Sequence, residues 1–155
     1  RIVRASHDNW EIDACPHHGP ALSIGKDGVR HFAWFTAAGG RPGIFYARTA
    51  DGGGTISPRA AFGRADGQAS RPQVLSLGEK IFLAWKELDG EKGVVRVASS
   101  QDGGKTWSDP RTAASTSGAS DYPLLIANGR EAFLSWNTAA EGYRLISLER
   151  GQSSE

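Results

Sequence analysis

Ser100-Gln101-Asp102-Gly103-Gly104-Lys105-Thr106-Trp107 decides the fold, and Thr49 to Ile56 is a weaker copy of it. A small hydroxyl residue, an Asp two places on, a glycine pair, then Thr and a bulky apolar residue describe a tight turn between two strands. The Asp102 carboxylate can accept backbone N–H bonds of the turn, glycine tolerates positive φ there, and the aromatic tucks under the loop. Asp51 holds the corresponding place 51 residues earlier.

That interval runs through the chain. Trp34, Trp85 and Trp136 are spaced by 51 and 51 residues, and Pro20, Pro72 and Pro123 by 52 and 51. Around the tryptophans the text repeats as Phe-Ala-Trp, Leu-Ala-Trp and Leu-Ser-Trp. Three landmarks keeping one period mark a structural repeat. Each unit reads as four strands. The first follows the proline (20–24, 72–77, 123–127), the second ends near the tryptophan (29–35, 80–86, 131–137), and the third follows a loop (43–48, 94–99, 143–148). The turn then leads into a fourth strand near Ile56 and Trp107. Short apolar runs bounded by Gly, Asp and Pro agree with strands rather than helices.

Four-stranded antiparallel sheets repeated about an axis make an all-β fold, the β-propeller. About three blades are expected, forming the C-terminal part of a six-bladed ring. The chain divides into 1–19, the outer strand of a preceding blade (residues 1–5) with a crossing loop; 20–66, a blade; 67–118, a blade with the clearest turn; and 119–150, a last blade lacking its outer strand. The repeat tryptophans are expected to pack between blades. A part-ring leaves two apolar blade faces to cover, so the remaining propeller half is an expected partner, as an absent chain or a neighbouring copy.

Composition excludes several function classes. The 18 basic and 17 acidic residues are interspersed, with formal net charge +1, and no basic stripe of the kind phosphate binding needs. No run approaches the roughly 20 apolar residues of a membrane span. One cysteine, Cys15, excludes an internal disulfide framework. No cofactor is implied. The chain begins at Arg1, and a longer exported polypeptide, periplasmic or secreted, is expected.

Ser100, Asp102, Gly104, Thr106 and Trp107 fill every fixed place of Ser-x-Asp-x-Gly-x-Thr-Trp, which resembles the Asp-box (BNR) repeat of the sialidase superfamily of β-propellers. The resemblance implies a bacterial, glycan-directed protein whose ligand binds at the mouth of the central channel. It also implies how a sialidase would work: three arginines on a substrate carboxylate, a tyrosine nucleophile assisted by a glutamate, and an acid aspartate. On this chain Arg71 then stands for one clamp arginine, Tyr122 for the tyrosine, and Glu87 for its assistant. No Phe-Arg-Ile-Pro segment occurs, and the other arginines and the acid aspartate have no clear counterpart.

Propeller topology itself gathers a site. Residues just before each repeat proline and just after each tryptophan should converge at one mouth: His18, Ser70, Arg71, Asp121 and Tyr122 from the first set, Lys86, Glu87 and Asn137 from the second. These side chains differ between copies whose scaffold is constant. Two function classes follow: a glycan- or protein-binding module acting through that face, or an exo-α-sialidase completed by residues elsewhere. A lesser alternative is a metal-binding propeller using Cys15, His17 and His18, since a thiolate and imidazoles suit copper(I) or zinc. The Asp51 and Asp102 turns lack the alternating acidic ligands of a calcium loop.

Overall fold

Eleven strands in three antiparallel sheets account for the regular structure of the computed structural model, which describes residues 2–11 and 19–149. The first sheet contains β1 (Ala21–Ile24), β2 (Arg30–Thr36), β3 (Gly43–Thr49) and β4 (Ala60–Phe62); the second β5 (Ser70–Leu77), β6 (Lys80–Asp89), β7 (Lys92–Ser100) and β8 (Arg111–Thr116); the third β9 (Leu124–Ala127), β10 (Ala132–Thr138) and β11 (Gly142–Ser147). Strand order follows chain order in every sheet, with each strand beside its predecessor. These are propeller blades, two complete and one of three strands among the described residues. Among the described residues, regular helix is limited to a single 3-10 turn at Ala38–Gly40.

The period-two pattern of each strand supplies the blade contacts. Ala33, Ile44 and Tyr46 of the first blade pack on Val74, Ile81, Leu83 and Trp85 of the second. Phe82, Ala84, Val95 and Val97, on the opposite side of the second blade, pack on Leu134 and Trp136 of the third. Trp85 and Trp136 therefore each face the blade before them, and both are buried. Burying an indole also requires an acceptor for its N–H. Trp34 donates to Asp8 Oδ2 at 2.8 Å, Trp85 to Glu87 Oε1 at 2.7 Å, and Trp136 to the Asp121 carbonyl at 3.0 Å.

The turns at Asp51 and Asp102 are held as their sequence requires. Asp102 Oδ1 accepts the backbone N–H groups of Lys105 and Thr106, both at 2.9 Å, and Oδ2 accepts the Thr106 hydroxyl at 2.6 Å. Ser100 Oγ accepts the Gly104 N–H at 2.8 Å and donates to Asp102 Oδ1 at 2.7 Å. In the first blade Thr49 and Asp51 repeat the arrangement toward Gly53 and Thr55. Hydrogen bonds from Thr106 and Ser100 hold the Asp102 carboxyl far below the usual carboxylate range, and those from Thr55 and Thr49 do the same for Asp51.

Two expectations about strands need correction. The fourth strands begin at Ala60 and Arg111, not near Ile56 and Trp107. Ser57 and Ser108 do bond back to the carbonyls of Arg48 and Ser99, but Pro58 and Pro110 then interrupt the ladder because proline has no N–H to donate. Residues 2–5 form no strand, for an outer strand needs a neighbour and none stands beside them. They lie instead over the first blade, with Val3 against Gly53. Further along, Asp8 binds Trp34 and pairs with Arg59, and Trp10 meets the Phe35 ring edge-on at 5.3 Å.

Blade one is keyed into blade two by Tyr46. Its ring meets Trp107 edge-on at 4.8 Å, its hydroxyl shares a 2.7 Å hydrogen bond with Nδ1 of buried His31, and the same hydroxyl lies under Gly104. Burial lowers the His31 pKa; the Asp27 charge opposes this and the Arg48 charge adds to the lowering by a lesser amount. A depressed folded value means that the unfolded chain takes up the proton first as pH falls, so stability is lost from about pH 6.5 downward. The melting temperature is expected to fall between about pH 7.5 and 5.5, and His31→Asn is expected to flatten that dependence. An unchanged slope in His31→Asn would remove His31 as its source.

Candidate functional site at the mouth between the second and third blades

β5 starts irregularly. Ser70 pairs with Lys86, but the next regular pair is Gln73 with Ala84, so the ladder slips at Arg71 and Pro72. Arg71 sits at φ 55, a left-handed conformation that a long side chain before proline adopts only under constraint. Pro72, buried, anchors the bulge. The effect is to carry the Arg71 guanidinium across the interblade groove and onto the Tyr122 ring, 3.7 Å from its centroid.

Tyr122 is presented by a segment fixed from the third blade. The Asp121 N–H donates to the Asn137 carbonyl at 2.9 Å, and the Asp121 carbonyl accepts the Trp136 indole. Asn137 Nδ2 reaches Asp121 Oδ2 at 3.4 Å, and Pro123 is buried behind. Tyr122 itself remains 54% exposed, so one part of the ring meets Arg71 while the rest is open. Lys86 completes the group from within β6, opposite Ser70. Desolvation lowers its pKa and the nearby Arg71 charge adds to this, with Asp121 opposing. Two cations, one carboxylate, an amide and a half-open aromatic ring thus share one rim, suited to hydroxyl-rich or anionic ligands.

Of the expected mouth residues, the structure brings together Ser70, Arg71, Lys86, Asp121, Tyr122 and Asn137. It does not bring Glu87 with them. Successive strand residues point to opposite faces, so Lys86 faces the third blade and Glu87 the first. There Glu87 is buried and accepts hydrogen bonds from Trp85 Nε1, from the Arg64 N–H at 2.9 Å and from Arg96 Nε at 3.3 Å. It borders a hollow of about 400 Å³ with Phe62, Trp85 and Arg96. The expectation that Glu87 assists Tyr122 is corrected by this geometry. Cys15, His17 and His18 lie outside the described residues, and among those described no three His, Cys, Asp or Glu side chains gather as metal ligands. No helix among the described residues is long and apolar enough to cross a membrane.

Sequence reasoning missed a second group on the same mouth. Arg64 binds Asp66 at 3.0 Å and Asp89 at 3.2 Å, beside a hollow of about 380 Å³ edged by Phe35, Pro42, Gln68 and Ser70. Its sequence signal was the charged pair inside Gly63-Arg-Ala-Asp-Gly67, a connection of the kind that carries variable residues at every other blade.

The fold and this rim define a part of a β-propeller with a polar, aromatic mouth. No protein-family model and no curated protein matches the sequence. Solved structures do match. The α-L-arabinanase of Penicillium chrysogenum, complexed with arabinobiose, is 16% identical at TM-score 0.61, over 92% of this chain and 52% of that one. The GH93 α-L-arabinofuranosidase of Fusarium graminearum, with arabinobiose, is 14% identical at TM-score 0.62, over 94% and 47%. A family 117 glycoside hydrolase of Zobellia galactanivorans is 15% identical at TM-score 0.51, over 84% and 52%. The chain therefore spans about half the length of these enzymes, and likeness at such identity establishes the shared fold. These matches correct the sialidase assignment: the propellers that this chain is similar to are arabinan-directed and family 117 hydrolases. The turn at Ser100 to Trp107 is a feature of construction and does not mark a sialidase or a neuraminidase-like protein.

Proposed function

We propose that this chain is the ligand-binding part of a glycan-directed propeller, of the architecture glycoside hydrolases use, and that it holds a saccharide at the rim formed by Arg71, Lys86, Asp121, Tyr122 and Asn137. The observation that carries the reading is the bulge at Arg71. A backbone held in a costly conformation in order to lay a guanidinium on a half-exposed tyrosine is what a preorganised site requires. The free part of the Tyr122 ring offers a surface for the C–H face of a sugar, and the charged and amide groups around it offer donors and acceptors for hydroxyls.

Arabinobiose, present in the Penicillium and Fusarium structures, is the first probe, followed by neutral and uronic-acid disaccharides. Titration calorimetry is expected to find saturable binding to one of these classes. Arg71→Ala and Tyr122→Ala should each weaken it about tenfold, the loss of roughly 1.4 kcal/mol, while Glu87→Gln on the far side of β6 leaves it unchanged. Absence of binding to all three classes, or equal weakening by Glu87→Gln, rejects the rim as the site.

Hydrolysis is the second reading, favoured by the shared fold and by Asp121 on the rim. Most glycosidases need two carboxylates about 5 to 9.5 Å apart. Among the described residues this cluster supplies Asp121 alone, so a second must come from whatever completes the ring. Reducing-end release from arabinan, abolished by Asp121→Asn, is the corresponding test.

A further inference from the structure

Lys86 brings to the rim a charge that the rest of the rim does not use. On β6 it pairs with Val95 of β7, and both side chains are on the face turned to the third blade. The lysine stem runs toward Gly93, the next residue of β7 on that face, and Cε lies 3.8 Å from the point where a side chain there would begin. Gly93 pairs in register with Leu88 and Thr116 and its φ is not positive, so the backbone does not ask for glycine at this place. Its missing side chain leaves open the space into which Lys86 extends. Among the described residues the Lys86 ammonium makes no ion pair and no hydrogen bond. Neighbouring charges are engaged. Arg71 lies on the Tyr122 ring, the Asp121 carboxylate takes the Asn137 amide, and Glu141 of the next hairpin accepts the Thr138 hydroxyl at 2.6 Å and faces Arg144 at 3.7 Å. A half-buried ammonium beside a second cation is held at a cost in free energy that an incoming anion relieves.

We propose that Lys86 sets the specificity of the rim, and that the saccharide held there carries an anionic group, a carboxylate or a sulfate, which meets the Lys86 ammonium. The inference rests on the saccharide reading of the rim and narrows it. With a sugar ring on the open part of Tyr122, an anionic substituent reaches across the groove toward β6, where the ammonium offers a compact charge with three N–H donors. Arg71 adds positive potential from β5, and the two cations outweigh the single carboxylate of Asp121. A neutral sugar in the same place would strip further water from the ammonium and give it only hydroxyl oxygens in return. A carboxylate or sulfate replaces that water with charge-assisted hydrogen bonds, which are the stronger kind.

Titration calorimetry on the whole chain, with disaccharides that differ only at C6, tests this. The probes are α-1,4-galactobiose, digalacturonate of the same linkage and galactobiose sulfated at C6, with the corresponding β-1,4-linked glucose series beside them. At least one anionic form is expected to bind about tenfold more tightly than its neutral parent, and the ratio should shrink as salt is raised. The carboxylate and sulfate arms show which anion fits. Lys86→Met keeps the stem and removes the charge, and is expected to bring the ratio close to one, whereas Lys86→Arg should keep most of it. Lys105→Met takes the same charge from the exposed turn between β7 and β8, at the opposite face, and should leave the ratio as in the wild type. Binding of arabinobiose or other neutral forms in preference to the anionic ones would overturn the assignment while leaving the rim a saccharide site. So would an anion preference that survives in Lys86→Met, or one lost equally in Lys86→Arg or Lys105→Met. Binding of none of these sugars would reject the rim itself and this inference with it.

Discussion

Gly104→Ala is expected to remove most of the stability of the first interblade contact. Gly104 lies at φ 84, where an L-residue costs about 1–2 kcal/mol, and its Cβ would overlap the Tyr46 hydroxyl and stand 2.7 Å from Cζ. Tyr46 has no room to retreat, being buried between Trp107 and His31. Forcing it aside adds an overpacking cost of about 1–3 kcal/mol, so a total near 3 kcal/mol is expected against a typical 5–15 for a domain. Urea denaturation gives the number. Tyr46→Phe removes the overlapping oxygen, and the double variant should recover part of the steric loss while the backbone cost remains. If Gly104→Ala lowered stability by less than about 1 kcal/mol, Tyr46 would have to yield easily beneath residue 104 and the contact between the first two blades would be loose.

The turn that makes this prediction possible was legible from its letters, because every constraint on it is local. Ser100, Asp102 and Thr106 bond within a few residues of one another, and the same holds for Thr49 and Asp51. Local constraint is also why the turn misled about kinship. A hydrogen-bonding solution that any strand connection of this length can use says how the chain reverses, not which enzyme it came from. The tryptophan period was legible for a different reason: blades are copies, and the residue facing the preceding blade recurs wherever the blade does. What could not be read was the slip at Arg71. A bulge arises from competition between a ladder and the packing of Pro72, and nothing in Ser-Arg-Pro announces φ 55. Glu87 is an intermediate case. Counting parity from Trp85, whose inward direction the repeat had already fixed, places Glu87 on the same face and Lys86 on the other.

That parity sets the expected behaviour of Glu87→Ala, which should destabilise the protein by about 3–5 kcal/mol, the range for removing one partner of a buried ion pair. Glu87 is 2% exposed, and its carboxylate serves the Trp85 indole, the Arg64 backbone and the Arg96 guanidinium together. Truncation would leave the Trp85 indole N–H, the Arg64 backbone N–H and the Arg96 Nε without their acceptor, Arg96 keeping Thr112 and Asp89, and would open space between the first two blades. Glu87→Gln keeps an oxygen for Trp85 or for Arg64 but gives up the charge facing Arg96, so a smaller loss of about 1–2 kcal/mol is expected. Denaturation midpoints of the two variants separate the roles. A carboxylate needed for catalysis or ligand binding at the rim would leave stability nearly intact in both and change affinity or turnover. One that bolts two blades together loses stability in the order Ala, then Gln, and leaves saccharide affinity where it was once the folded fraction is allowed for. Equal midpoints for wild type and Glu87→Ala would contradict the bolt, because Glu87 Oε1 accepts the buried Trp85 N–H at 2.7 Å.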